Sequence, residues 1–412
     1  FLMPQPLNQR LAILLTLYLA QGLPTGIFSQ ALPAILRSYD VSLTVIGFSG
    51  LLAIPWALKF LWSPYVDKYH STQMGRSRSW ILPMQALGVL LLMVIALFNP
   101  YDLATQQGVY HFFALMFLLN LFAATQDIAC DALAVRSLSY AERSFGTSVQ
   151  VAGYRLGLIV GGGLLLYLVD VWDWQLSFLL MAALLVLLTV PILLYREPVV
   201  EVSPSEMSIS YSQVFKSFTA TPAFKAWFWV LVTYKVGDGL GSVMVKPMLV
   251  DMGFKLQQIG LFVSVLGSVA TLLGALLGGL LTSKIGRYQA LMAFGVLQAI
   301  GLASYGILSW QWHSTGQVNH WLVYGVNAFE HFASGMATVA LLSAVMDQCR
   351  RDHAGSDFTL QVSILAIFGG SAGLLAGLVA DVMGYTFYYL LSAALCLLLL
   401  WPVIRWGQWL RR

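Results

Sequence analysis

The chain has 412 residues, of which 58% are hydrophobic and only 10% charged. Soluble domains carry about a quarter charged residues, so a soluble globular fold is excluded. The net charge of +4 is topological rather than a nucleic-acid footprint, because the basic residues cluster between apolar runs.

A spanning helix needs about 20 apolar residues. On that ruler twelve spans follow in chain order, at roughly 11–38, 43–66, 79–98, 111–138, 144–170, 175–195, 223–250, 257–281, 287–310, 319–346, 357–382 and 385–407. The longest polar gap, 196–222, divides them into an N-terminal half (1–195) and a C-terminal half (223–412) joined by a cytoplasmic linker. Arg10, Lys68, Arg76, Arg78, Arg143, Arg196, Lys216, Lys225, Lys284, Arg287, Arg350, Arg351, Arg405, Arg411 and Arg412 fall on one side of these spans. The other side holds little more than Arg37 and Lys255. The positive-inside rule then puts both termini in the cytoplasm. The first apolar run leads straight into the bundle, so no cleavable signal peptide is evident. Cys130, Cys349 and Cys396 avoid the outer loops, which argues against a disulfide framework. Short loops suit a bacterial inner membrane.

The halves look duplicated. Gly153, Gly157 and Gly161 recur as Gly369, Gly373 and Gly377, 216 residues later, and Asp131 recurs as Asp347 at the same offset. Spaced glycines let helices approach closely in lipid, and helix packing is the plain reading of both triplets.

Ionisable groups inside spans are costly and mark transport routes by default. Asp127 and Asp131 are four apart and share a helix face. Asp127 near mid-span is the first candidate for proton coupling, and Glu330, beside His331, is the second. Adjacent residues point about 100° apart, so only one of Glu330 and His331 is expected to face a cavity. Asp131 lies nearer the cytoplasm and is expected to pair with Arg76 or Arg78 in a gate. Arg155 either pairs with an acid of span four or holds a ligand carboxylate with its planar fork. Lys59 snorkels or pairs. Lys235 and Asp238 form a local ion pair or line a ligand site beside flexible glycines. Trp56, Tyr154 and Tyr234 lie inside spans and could stack on a ligand. Gln126 could bond ligand or a neighbouring helix. Pro24, Pro33 and Pro55 are expected to kink spans one and two.

The loops after spans two and eight read Asp67-Lys68, then Gly75-Arg76-Ser77-Arg78, and Gly279 through Lys284 to Gly286-Arg287. They resemble the G-x-x-x-D-[RK]-x-G-[RK] loop of the major facilitator superfamily. The first copy lacks the leading glycine and carries an insertion; the second has Ser283 where the acid would stand. That resemblance implies a cytoplasmic charge cluster of Asp67, Arg76, Arg78, Asp131, Lys284, Arg287 and Asp347. The stretches Gln21–Gly26, Leu58–Pro64, Ala124–Ala129 and Gly153–Gly157 further resemble the AmpG-like muropeptide-permease family. Glu330–Met336 and Ala354–Gln361 resemble its siderophore-importer branch more. The muropeptide permeases have additional spans between the halves, so the twelve-span length also tilts toward that branch.

The implied function is import of a bulky polar solute, a ferric siderophore or a muropeptide, from periplasm to cytoplasm. The implied mechanism is alternating access driven by inward proton movement in an all-α major facilitator fold. The partners are the solute, protons and the bilayer, with no cofactor, no metal and a functional monomer. The six histidines show no metal-protease spacing and no Walker A run is present, which argues against an enzyme and an ATP-driven pump. A sensor with a transport-like core is the remaining alternative class; the 196–222 gap is too short for a signalling domain.

Overall fold

The computed structural model describes residues 6–39, 41, 49–71, 73–197, 211–255, 258–374 and 376–410. The start of the second expected span (43–48), the first residue of the eighth, residue 375 of the eleventh, the linker residues 198–210, Arg411 and Arg412 lie outside the described residues. Among the described residues all regular structure is helical, apart from one bridge between Ser71 and Gly75.

Nine helices among the described residues are long and apolar enough to cross a membrane: Leu7–Ala31, Arg78–Leu97, Gln106–Ser137, Arg143–Val171, Trp174–Leu194, Leu266–Ile285, Arg287–Thr315, His320–Gln348 and Val379–Trp409. Of the other three expected spans, the second and seventh are broken, for local reasons. In the second, Pro55 and Pro64 each open a short helix, Ile54–Leu58 and Ser63–Lys68, since proline cannot continue the one before. The seventh is divided into Pro222–Thr233, Val236–Val243 and Val245–Asp251. The eleventh, Ala354–Leu374, carries on from Ala376 to a sharp turn at Gly384 (φ 72°), where the twelfth begins. Only glycine takes that left-handed geometry freely. Pro24 lies inside Leu7–Gly26 and is followed by a π-helical turn, Ile27–Ala31.

The chain forms two compact units. The first comprises Phe1–Ser139, Val149–Phe215 and Cys349–Thr359; the second comprises Tyr140–Ser148, Lys216–Gln348 and Leu360–Arg412. Each unit thus includes a short segment from the opposite half of the sequence. The first unit's core is built on Leu23, Ile27, Ile95, Phe112, Met116 and Phe178, and the second's on Met248, Leu302, Tyr305, Val323, Tyr388 and Tyr389. Large apolar side chains such as Leu97, Leu187, Leu194, Leu273, Ile300 and Ile307 are exposed. An apolar exterior on this scale belongs against lipid rather than water.

Close helix approach in the first unit runs through the glycine triplet of span five. A Cβ on Gly157 would lie 2.3 Å from the Leu19 carbonyl oxygen and 2.7 Å from Gly22 Cα; on Gly161 it would lie 2.0 Å from the Leu23 oxygen. The triplet is a packing face for Leu7–Gly26. In the second unit a Cβ on Gly239 would lie 2.3 Å from the Gly369 oxygen, while Gly377 has nothing within 4 Å.

Candidate functional site

In the first unit the polar centre lies among three helices and a short turn. Lys59, in the Lys59–Leu61 turn after Ile54–Leu58, is buried and its ammonium pairs with the Asp127 carboxylate. The same Nζ lies 4.0 Å from Asp131 Oδ2. Asp131 Oδ1 accepts from Tyr18 Oη at 2.8 Å and from Gln150 Nε2 at 3.1 Å. Four-residue spacing on the Gln106–Ser137 helix brings both carboxylates to one ammonium. Exposure separates them, since the Asp127 side chain is 12% exposed and that of Asp131 2%. Lys59 also stands over the Trp56 ring, whose indole donates to Asn120 Oδ1 at 3.0 Å. Trp56 is therefore held by a helix contact. Gln126 is buried in the same helix, while Tyr154 and Arg155 are half-buried on Arg143–Ile159.

One expectation is corrected here. Asp131 does not meet Arg76 or Arg78: Arg76 donates to the Asp352 carbonyl at 3.4 Å and Arg78 to that of Leu193 at 2.9 Å. Asp131 points at the first and fifth span helices instead. Arg136, five residues nearer the helix end, takes the place beside the loop, 3.7 Å from Asp67 Oδ1 and 2.6 Å from Ser77 Oγ. Lys59 supplies a cation to both span-four acids.

Asp67 caps a helix start. Its carboxylate accepts from the backbone N–H of Gly355 (3.2 Å) and Ser356 (2.7 Å) and from Ser356 Oγ (2.7 Å). These are the first-turn donors of Ala354–Leu374, which have no intrahelical acceptor, and the helix dipole favours an anion there. Glu197 does the same for Ser77 N (2.8 Å) and Arg78 N (3.1 Å), at the start of Arg78–Leu97. Between them, burial and the Arg76 guanidinium hold the His70 imidazole below its usual value.

In the second unit Asp347 is clamped by Arg143 Nη1 (2.9 Å) and Arg287 Nε (2.7 Å). Arg287 also donates to Ser144 Oγ (2.8 Å) and the Tyr140 carbonyl (2.6 Å), and stacks on the Tyr140 ring. Lys284 is exposed at the end of Leu266–Ile285. Deeper, Lys235 Nζ lies 2.9 Å from Asp238 Oδ2, and Glu330 Oε2 lies 2.8 Å from His331 Nδ1. Glu330 is buried against Gly301 while His331 is half-buried, so the two point apart yet still touch. Tyr234 is buried, its hydroxyl donating to the Leu291 carbonyl at 3.0 Å, so it is a packing residue rather than a ligand platform.

Tyr18, Arg136, Asn120, Glu197 and Ser356 were not foreseen as site residues. Only Arg136 and Glu197 carried a signal, as charges at span ends.

A lipid-facing helix bundle with charges paired in its interior defines a membrane transporter rather than an enzyme. A family model described as Major Facilitator Superfamily matches residues 14–370 and 236–410. The Anhydromuropeptide permease of Escherichia coli K12 is 34% identical over 392 residues, covering 93% of this chain and 77% of the relative. The Putative transporter AmpG 4 of Rickettsia conorii is 24% identical over 401 residues, covering 95% and 94%. The chain belongs to the major facilitator superfamily and, within it, to the AmpG-like family. Among solved structures, the human organic anion transporter MFSD10 superposes with a TM-score of 0.73 at 14% identity, covering 97% of this chain and all of that one. FucP in its outward conformation gives 0.69 at 15%, covering 97% and 98%. At such identities the likeness shows the fold alone.

Proposed function

We propose that this protein imports an anhydromuropeptide-class solute, a sugar bearing a short peptide, from periplasm to cytoplasm, coupled to inward proton movement. It would act by alternating access as a monomer in a bacterial inner membrane, with both termini cytoplasmic. The names of the relatives favour the muropeptide class over the siderophore class that sequence length suggested.

One observation carries the coupling: two carboxylates share one ammonium inside the bundle. With both acids ionised, the Lys59–Asp127–Asp131 cluster has a net charge of −1. One bound proton makes it neutral. In a low-dielectric interior an uncompensated charge is costly, so loading and unloading that proton biases which packing is stable. Asp127 is the more exposed acid and the natural point of entry. Glu330 with His331 is the second coupling candidate. Asp67 and Asp347 each hold a segment from the other half of the sequence, and release of those contacts is the cytoplasmic opening step.

The test is solute uptake into vesicles with and without an imposed pH gradient. The gradient should accelerate uptake by the wild type, and Asp127→Asn should abolish that acceleration. Gradient-independent uptake, or full gradient response in both Asp127→Asn and Glu330→Gln, would sink the reading.

A further inference from the structure

Span one carries a row of polar side chains that meets the coupling cluster only at its near end. Tyr18, Gln21, Thr25 and Ser29 follow one another at three- and four-residue spacing, so they share one helix face. Tyr18 Oη donates to Asp131 Oδ1 at 2.8 Å, Thr25 Oγ1 to the Gln21 carbonyl at 3.2 Å and Ser29 Oγ to the Thr25 carbonyl at 2.6 Å. Span five adds a second row. Gln150 Nε2 donates to Asp131 at 3.1 Å, and Tyr154, one turn further along, faces the Thr25 hydroxyl. Tyr18, Gln21 and Thr25 are buried, Gln150 and Tyr154 are half-buried, and Ser29 is exposed. The seam thus joins a deeply buried carboxylate to an accessible hydroxyl.

The middle of the seam is unsatisfied. Among the described residues, neither amide atom of Gln21 has a hydrogen-bond partner, and nor has Gln126 Nε2 or Gln150 Oε1. Gln21 is 1% exposed and Gln126 4%. Both stand beside the Cys130 thiol, a weak donor and a weak acceptor that satisfies neither. A primary amide offers two donors and two acceptor sites, and leaving them unmade in a buried place is costly. An amide kept only to fasten helices would bond across to one.

Gln85 and Gln298, on spans three and nine, also leave amide atoms unpaired. Gln21, Gln126 and Gln150 differ in converging on one pair of acids from three helices. Gln150 bonds Asp131, Gln126 directly precedes Asp127, and Gln21 lies one turn from the phenol that bonds Asp131. Buried polar groups without protein partners are met by ordered water, each molecule making about three hydrogen bonds.

We propose that Gln21, Gln126 and Gln150 cradle ordered water beside Asp131, and that this water passes protons between Asp131 and the exposed end of the seam at Ser29. Water there accepts from the free amide N–H groups, donates to the Gln21 and Gln150 oxygens and exchanges protons with the carboxyl group. The Thr25 and Tyr154 hydroxyls carry the path onward. Each hop breaks one O–H bond as the next one forms, so no water is consumed. The more buried acid then gains and loses a proton without opening the Lys59–Asp127 pair. This rests on the coupling reading and names the residues that conduct the proton to its inner acid.

The test uses proteoliposomes and an anhydromuropeptide gradient, with proton flux read by a pH-sensitive dye and solute exchange measured at equilibrium. Gln21→Met and Gln126→Met keep the side-chain size and remove the amides. Each should lower proton flux at least fivefold while exchange stays within twofold of wild type, which also shows that the variants fold. Gln21→Asn, which keeps an amide, should retain most of the flux. Wild-type flux in both Gln21→Met and Gln126→Met would overturn the assignment, and a raised melting temperature would then mark the amides as dry. Flux and exchange falling together would assign the glutamines to structure and overturn it equally. Both results leave the coupling reading standing. Exchange without proton flux in the wild type would overturn the coupling reading as well, and absence of exchange would overturn the import reading beneath both.

Discussion

Asp131 and Asp347 are 216 residues apart, near the C-terminal ends of the fourth and tenth spans. Asp347 meets two guanidinium groups at 2.9 and 2.7 Å, so its charge is fully opposed. Asp131 meets a phenol, an amide and, at 4.0 Å, an ammonium already taken by Asp127. One repeat position thus serves two physical ends. A clamped carboxylate fastens helix ends and gains little from a proton. A carboxylate in a cluster short of one cation has a reason to bind one. The difference arises outside the repeat: Arg143 and Arg287 both meet Asp347, whereas the one Lys59 ammonium reaches both Asp127 and Asp131.

The largest effect should come from removing the shared cation. Lys59→Met strands two acids in the bundle, and breaking a buried pair costs about 3–5 kcal/mol. Folded yield and thermal stability in detergent should fall sharply. Adding Asp127→Asn should recover a good part of the loss, which a double-mutant cycle reads directly. An uncoupled cycle would mean that Lys59 acts independently of Asp127.

Next is the glycine face that holds the first and fifth spans together. Gly157→Val places branched carbons where a Cβ alone would meet the Leu19 oxygen at 2.3 Å. Overpacking of this kind costs about 1–3 kcal/mol, visible as a lower melting temperature. Gly377→Ala, with open space around it, should leave the melting temperature nearly unchanged.

Asp67→Asn keeps the shape but removes the anion at the start of Ala354–Leu374. A lost cap costs about 1 kcal/mol. Amide exchange in residues 354–359 should speed up about fivefold, with exchange around Asp347 unaffected.

The smallest effect is at His70. Its imidazole is held below its usual value by burial and by Arg76. The unfolded chain therefore takes a proton at a higher pH than the folded one. Stability from this residue is complete above the ordinary histidine value of about 6.5 and is lost as pH falls below it. His70→Asn should flatten that acid limb of the melting curve. An unchanged limb would assign it to other groups.

Much of the architecture was legible because membrane helices announce themselves by length and apolarity. The breaks in spans two and seven were not, since Pro55, Pro64 and the turns at Lys235 and Met244 leave hydropathy intact while interrupting the backbone. At the site, the i,i+3 pair Lys235–Asp238 and the acids Asp127 and Asp131 could be read from spacing alone. The partner of those acids could not. Lys59 is 68 residues from Asp127, and no periodicity links a proline-broken span two to a continuous span four. Asp67 shows the same limit. Its charge and loop were readable, but its acceptors' partners are backbone donors of Gly355 and Ser356, which no side-chain pattern reveals.

In the proposed mechanism the Lys59–Asp127–Asp131 cluster takes up and releases the coupling proton. Proton movement should therefore be recorded with a pH-sensitive dye in proteoliposomes, while an anhydromuropeptide gradient drives wild type, Asp127→Asn and Asp131→Asn. Solute-driven proton flux is expected in the wild type and its loss in both variants, with solute exchange at equilibrium persisting. Proton flux at wild-type level in both variants would contradict it.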